Sequence, residues 1–81
     1  MKSTKNLKTK IESFVINEVI KLRTQKNMSQ ADVAAMLDVT PSFIGKVESP
    51  NYAAKYNLNH INKLAEILDC SPKDLLPNKK L

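Results

Sequence analysis

A single glycine, Gly45, in 81 residues is the tightest constraint on what this chain can fold into. Phosphate-cradling loops of the G-x-G-x-x-G or G-x-x-x-x-G-K kind need several residues that tolerate positive φ and close backbone approach, so nucleotide chemistry built on them is excluded. Sustained alternation of β-branched residues is also missing, while apolar residues recur at spacings of three and four. The chain therefore reads as all helix, with proline and polar clusters supplying the breaks.

The length allows one compact domain with a small stability margin. One cysteine, Cys70, and one histidine, His60, can form neither an internal disulfide nor a four-ligand Cys/His zinc site. No base stands in a recognisable pairing with Cys70 or any serine, so no catalysis is expected. Nor is a metal, a cofactor or a small-molecule ligand. No apolar run approaches a membrane span and no secretory signal is visible, so no membrane partner is expected and the cytoplasm is the expected compartment. The net charge of +5 points toward a polyanion, but its distribution qualifies that. Residues 1–10 carry four lysines and no acid, residues 73–81 three lysines and one aspartate, and residues 11–72 six basic and seven acidic groups. The excess sits at the two ends of a nearly neutral middle.

The periodicity predicts a first helix from about Leu7 or Thr9 to Gln25, with Ile11, Val15, Val19 and Leu22 as its buried stripe. Phe14, Ile16 and Ile20 exceed what one small core needs, so either this helix is deeply buried or part of it meets another chain, and self-association is the expectation drawn. Ser29-Gln-Ala-Asp32 fits a capping box opening a second helix that stops near Leu37. Thr40 caps a third helix whose first residue is Pro41, where a missing N–H costs nothing. Ser49-Pro50 ends it, because a residue before proline avoids the α region. A polar connection leads to a fourth helix, about Leu58 to Leu68, whose buried face is Leu58, Ile61, Leu64, Ala65 and Leu68. Ser71-Pro-Lys-Asp74 starts a last short turn carrying Leu75 and Leu76.

Two short helices, each capped at its start and apolar on the facing sides, form a helix-turn-helix unit. Ala34 allows their close approach, while Val33, Leu37, Val39, Ile44 and Val47 fill the angle between them. From about Val19 to Leu76 the sequence resembles the lambda-repressor-like helix-turn-helix family of phage repressors, Cro proteins and XRE-type regulators. The resemblance rests on Leu22-Arg23, on SQADVAAMLDVTPSFIGKVE from Ser29 to Glu48, and on LNHINKLAEILDCSPKDLL from Leu58 to Leu76. It implies a bundle of four to five helices that binds double-stranded DNA as a homodimer on paired half-sites. It also implies a salt bridge between Arg23 and Glu48.

The same resemblance implies the DNA-facing residues. Pro41, Ser42 and Lys46 fall where base edges are read, and Phe43 faces either a thymine methyl or sugar on DNA or the packing surface of Val47. Lys46 is a donor to guanine or, alternatively, a general phosphate contact. Gln30 and Thr40, at helix N-termini where free N–H groups favour an anion, are expected phosphate contacts. Asn51, Tyr52 and Lys55 in the connection are expected backbone ligands. Three departures stand out. Asp38 and Pro50 occupy positions where the family commonly has glycine. Gly45 stands where it commonly projects a polar side chain, so that either one contact is missing or the backbone approaches DNA more closely.

The expected organisation is a basic flexible tail over residues 1–8, a helix-turn-helix DNA-binding domain over 9–77 and a loose tail over 78–81. The expected function is sequence-specific DNA binding by a transcriptional repressor. A protein-interaction module of the same fold, antitoxin-like or an antirepressor subunit, is the competing expectation, drawn from the neutral middle, Gly45 and the surplus apolar surface of the first helix.

Overall fold

The computed structural model describes residues 7–81; the first part of the expected basic tail, residues 1–6, lies outside the described residues. Four α-helices, α1 (Lys10–Gln25), α2 (Gln30–Leu37), α3 (Pro41–Glu48) and α4 (Leu58–Ile67), are followed by a 3-10 turn, Pro72–Leu75. No strand occurs among the described residues.

Each helix starts where a polar side chain can take its orphan N–H groups. Thr9 opens α1 through a reciprocal pair: Glu12 N–H donates to Thr9 Oγ1 (3.2 Å) and Thr9 N–H to Glu12 Oε1 (2.9 Å). Ser29 and Asp32 repeat the arrangement at α2, and Thr40 Oγ1 accepts from Phe43 N–H at α3. At α4, Asn57 pairs with His60, whose Nδ1 accepts from the Asn57 N–H at 3.1 Å. His60 is thus a capping residue. With glycine so scarce, the reversals after α1, α2 and α4 place Asn27, Asp38 and Asp69 at positive φ (58°, 62° and 57°). Asn and Asp tolerate this region better than other side chains, and Asp38 occupies it as the turn of the helix pair requires.

The core joins Val15, Ile16 and Val19 of α1, Val33, Ala34 and Leu37 of α2, Ile44 and Val47 of α3, Tyr56, Ile61, Leu64, Ala65 and Leu68 around α4, and Leu75 of the turn. Two apolar faces differ from expectation. On α1 the expected stripe is rotated: Ile16 is core while Ile11 is 44% exposed, so Ile16 is not surplus surface. Phe14 and Ile20 are half-buried, Ile20 against the core. On α4, Leu58 is 80% exposed rather than buried, because the first helical position lies at the rim where α1 and Leu76 leave the groove open. Lys8, the last residue of the expected flexible tail, is only 8% exposed.

Candidate nucleic-acid interface

The helix pair is locked from behind by one carboxylate. Arg23, late in α1, donates from Nε to Glu48 Oε2 (2.9 Å) and from Nη2 to Glu48 Oε1 (2.7 Å), and from Nη1 to the Met28 carbonyl (3.0 Å). Gln30 Nε2, on the first turn of α2, adds a bond to Glu48 Oε1 at 2.8 Å. The carboxylate at the end of α3 therefore receives donors from α1 and α2 together. The Glu48 hydrogen bonds push the Arg23 pKa upward despite the opposing effect of burial. A buried ion pair orients more reliably than it stabilises, and here it fixes how α3 stands against the other two helices.

Fixed in that way, α3 exposes Pro41, Ser42 and Lys46, while Ile44 and Val47 face the core. Positions three and four apart share a helix face, so Ser42, Gly45 and Lys46 line up along one outward strip. Gly45 is half-buried and has ordinary helical φ, and a Cβ built on it would meet only Gln30 Oε1, at 3.6 Å. The glycine is thus not demanded by crowding within the chain. Phe43 turns away from the strip: half-buried, it packs edge-on to Tyr56 (centroids 6.4 Å apart) and tilted against His60 (5.4 Å). Its packing partners lie around the start of α4.

The remaining expected contacts lie at the starts of α2 and α3 and in the segment joining α3 to α4. Thr40 is exposed, with its hydroxyl occupied as the α3 cap. Gln30 sits one residue inside α2, whose cap is Ser29, and its side-chain amide is engaged by Glu48. The backbone N–H groups of the first turn, rather than that amide, are what Gln30 brings to an anion. Asn51, Tyr52 and Lys55 are exposed in the segment joining α3 to α4. Lys46 Nζ lies over the Tyr52 ring, 5.6 Å from its centroid, a cation–π contact that leans this lysine toward the connecting segment. Lys55 Nζ is 3.0 Å from Glu12 Oε2. The Thr9 N–H bond first, and the Lys55 contact after it, hold the Glu12 carboxyl below its ordinary pKa.

Two residues of this region escaped the sequence reading. Tyr56 is 8% exposed, and its hydroxyl has no hydrogen-bond partner among the described residues. Burial, then the nearby Glu48 charge, raises its pKa. A signal did exist: Tyr56 precedes the Asn57 cap and Ile61 is the fourth helical residue, the spacing of a hydrophobic staple. Lys8 is the other, its Nζ donating to the carbonyls of Ser49 (2.5 Å) and Tyr52 (2.6 Å). Nothing local in the sequence announces it, because the acceptors lie 41 and 44 residues downstream.

Comparison with known proteins agrees with this geometry. The family of the Cro/C1-type HTH DNA-binding domain matches residues 18–77. Among solved structures, the restriction-modification controller protein C.AhdI from Aeromonas hydrophila superposes with a TM-score of 0.66 at 32% identity, over 80% of this chain and 94% of that one. The SinR protein/SinI protein complex gives a TM-score of 0.66 at 20% identity, over 79% of this chain and 61% of that one. Hydroxypropylphosphonic acid epoxidase from S. wedmorenis gives 0.70 at 22% identity, over 83% of this chain but only 35% of the enzyme. This chain spans about a third of that enzyme, and the likeness is one of fold alone. A search of curated protein sequences finds no match.

Proposed function

This chain belongs to the Cro/C1-type helix-turn-helix DNA-binding family, and from that premise we propose that it is a sequence-specific regulator, acting as a repressor, that lays the outer face of α3 in the major groove. The observation that carries the proposal is the outward strip of exposed Ser42 and Lys46 with half-buried Gly45 between them, backed by the Arg23–Glu48 fork. An α-helix fits a major groove, where a serine hydroxyl can donate to or accept from base edges and a lysine ammonium can donate to them. Pro41 at the entry of α3 accompanies them. Phosphates are contacted by Thr40 and the first turn of α2 on one side, and by Asn51, Tyr52 and Lys55 on the other. Repression requires nothing beyond occupancy of an operator.

Half-sites one helical turn apart call for two copies. The apolar groove lined by Ile11, Val15, Tyr56, Leu58, Ile61 and Leu76 is the surface assigned to the second copy. Leu58, Ile11 and Leu76 are exposed there, whereas the expected face of Phe14, Ile16 and Ile20 is largely occupied by the chain's own packing. The experiment that tests the proposal is a titration of the protein's own upstream DNA at increasing salt. A regulator binds at low salt and loses affinity steeply through counterion release. Failure of the folded protein to bind duplex at low salt defeats the proposal and leaves the protein-interaction module as the reading of the same fold.

A further inference from the structure

The exit from α3 is unusual for its chemistry. Pro50 forbids the preceding residue the α conformation, and Ser49 is extended (φ −92°, ψ 134°) rather than left-handed. The helix therefore ends without the tight reversal that turns back terminal carbonyls, and the chain leaves along residues 49–57 with little regular structure. Two carbonyls of this exit, Ser49 and Tyr52, converge on the Lys8 ammonium at 2.5 and 2.6 Å. Lys8 is 8% exposed, and its side chain lines a cleft together with Ile16, Asn17, Ser49 and Pro50. A buried ammonium is tolerated only with oxygen partners of this kind. Its charge also sits at the C-terminal end of α3, where the helix dipole favours a cation.

The segment so held is the one that carries Asn51, Tyr52 and Lys55, and Tyr52 is also the ring beneath Lys46. We propose that Lys8 is a positioning residue for DNA binding: it clamps the Pro50 exit so that Asn51, Tyr52 and Lys55 are presented on the same side as the α3 strip. The inference rests on the DNA-binding reading above. It extends the working unit ten residues before the family match, which starts at residue 18. Lys8 acts through backbone carbonyls and does not itself reach a phosphate.

The test compares Lys8→Met, Lys8→Arg and Lys55→Ala in the full chain. Lys8→Met is expected to keep wild-type helicity, to lower the backbone 15N order parameters of residues 51–55 and to weaken duplex binding about tenfold, the scale of one charged hydrogen-bond anchor. The loosened segment still reaches its phosphates once docked and the loss is the cost of ordering it, so the slope of log K against log salt stays at the wild-type value. In Lys55→Ala the slope falls by about one. Lys8→Arg restores most of the affinity. Wild-type order parameters and affinity in Lys8→Met overturn the proposal, as does a slope reduced like that of Lys55→Ala. Should Lys8→Met fail to fold, the wild-type protein decides. A Lys8 Nζ resonance with slowed exchange and couplings across hydrogen bonds to the Ser49 and Tyr52 carbonyls supports the clamp, and a freely exchanging ammonium contradicts it. Absence of duplex binding by the wild-type protein defeats the regulator reading, whereas the order-parameter and Nζ measurements on the free protein decide separately whether Lys8 holds the segment.

Discussion

Arg23 and Glu48 meet in a two-bond fork, at 2.9 and 2.7 Å, that ties the end of α1 to the end of α3. Their side chains are only 13% and 7% exposed, and Met28 and Gln30 satisfy further valences around them. Removing one partner strands the other charge in the interior. Arg23→Met is therefore expected to cost about 3–5 kcal/mol, and replacing both by apolar residues of similar size far less. Urea denaturation of the two single variants and the double variant measures this. A single-variant loss below about 1 kcal/mol, the range of surface pairs, contradicts the role given to the fork.

Gly45 separates stability from recognition. A methyl at this mid-helix position meets no closer atom than Gln30 Oε1 at 3.6 Å, so Gly45→Ala is expected to stabilise the fold by about 0.5–1 kcal/mol through helix propensity. On DNA the same methyl stands between α3 and the groove, and binding is expected to weaken several-fold. A melting curve and an anisotropy titration on one sample check both. A variant that is more stable and binds as well as wild type shows that close backbone approach is not why glycine is there.

The pairing face is tested at Leu58. It is 80% exposed at the first position of α4, where an acid is compatible with a helix N-terminus, so Leu58→Asp leaves the monomer folded. Burial of one leucine contributes about 1.5–3 kcal/mol, and a symmetric interface loses it twice. Light scattering is expected to show twice the 9.1 kDa chain mass for the wild type and a monomer for the variant. Equal masses for the two remove this face from the dimer.

Acid should weaken the start of α1. Glu12 has its pKa lowered from an ordinary 4.5, first by the Thr9 N–H and then by Lys55. A carboxyl with a folded pKa below its unfolded one contributes stability above the unfolded value and loses it as pH falls through the folded value. The unfolding free energy of the wild type should thus decline below about pH 4.5. Glu12→Gln, lacking that share, should be less stable than wild type near neutrality and converge with it in acid. Parallel curves for the two proteins across that range contradict the assignment.

Much of this architecture is written in short-range chemistry. Thr9, Ser29, Thr40 and Asn57 start their helices by contacts three residues ahead, and such spacing is visible in one dimension. The helix pair is visible for the same reason, whereas the Arg23–Glu48 bond joins residues 25 apart and is visible only through the family resemblance. The orientation of α1 was less legible, because Phe14, Val15 and Ile16 are consecutive apolar residues and a 3.6-residue period does not decide which of them faces inward. Packing against α3 and the 3-10 turn decides, and it chooses Ile16 over Ile11. Leu58 fits the α4 stripe by spacing yet stands beyond the end of the core. Lys8 was the least legible, since its acceptors are backbone carbonyls, and a carbonyl has no residue identity to read.

The central claim is that side chains on the outer strip of α3 choose the DNA sequence, and it is tested most directly by selection from randomised duplexes with wild type, Ser42→Ala and Lys46→Ala. The account predicts that the wild type enriches paired half-sites about one helical turn apart. Each variant should bind with its preference relaxed at discrete base pairs, worth about 1–3 kcal/mol apiece. Enrichment of an identical motif by all three proteins, or of none by the wild type, would contradict it.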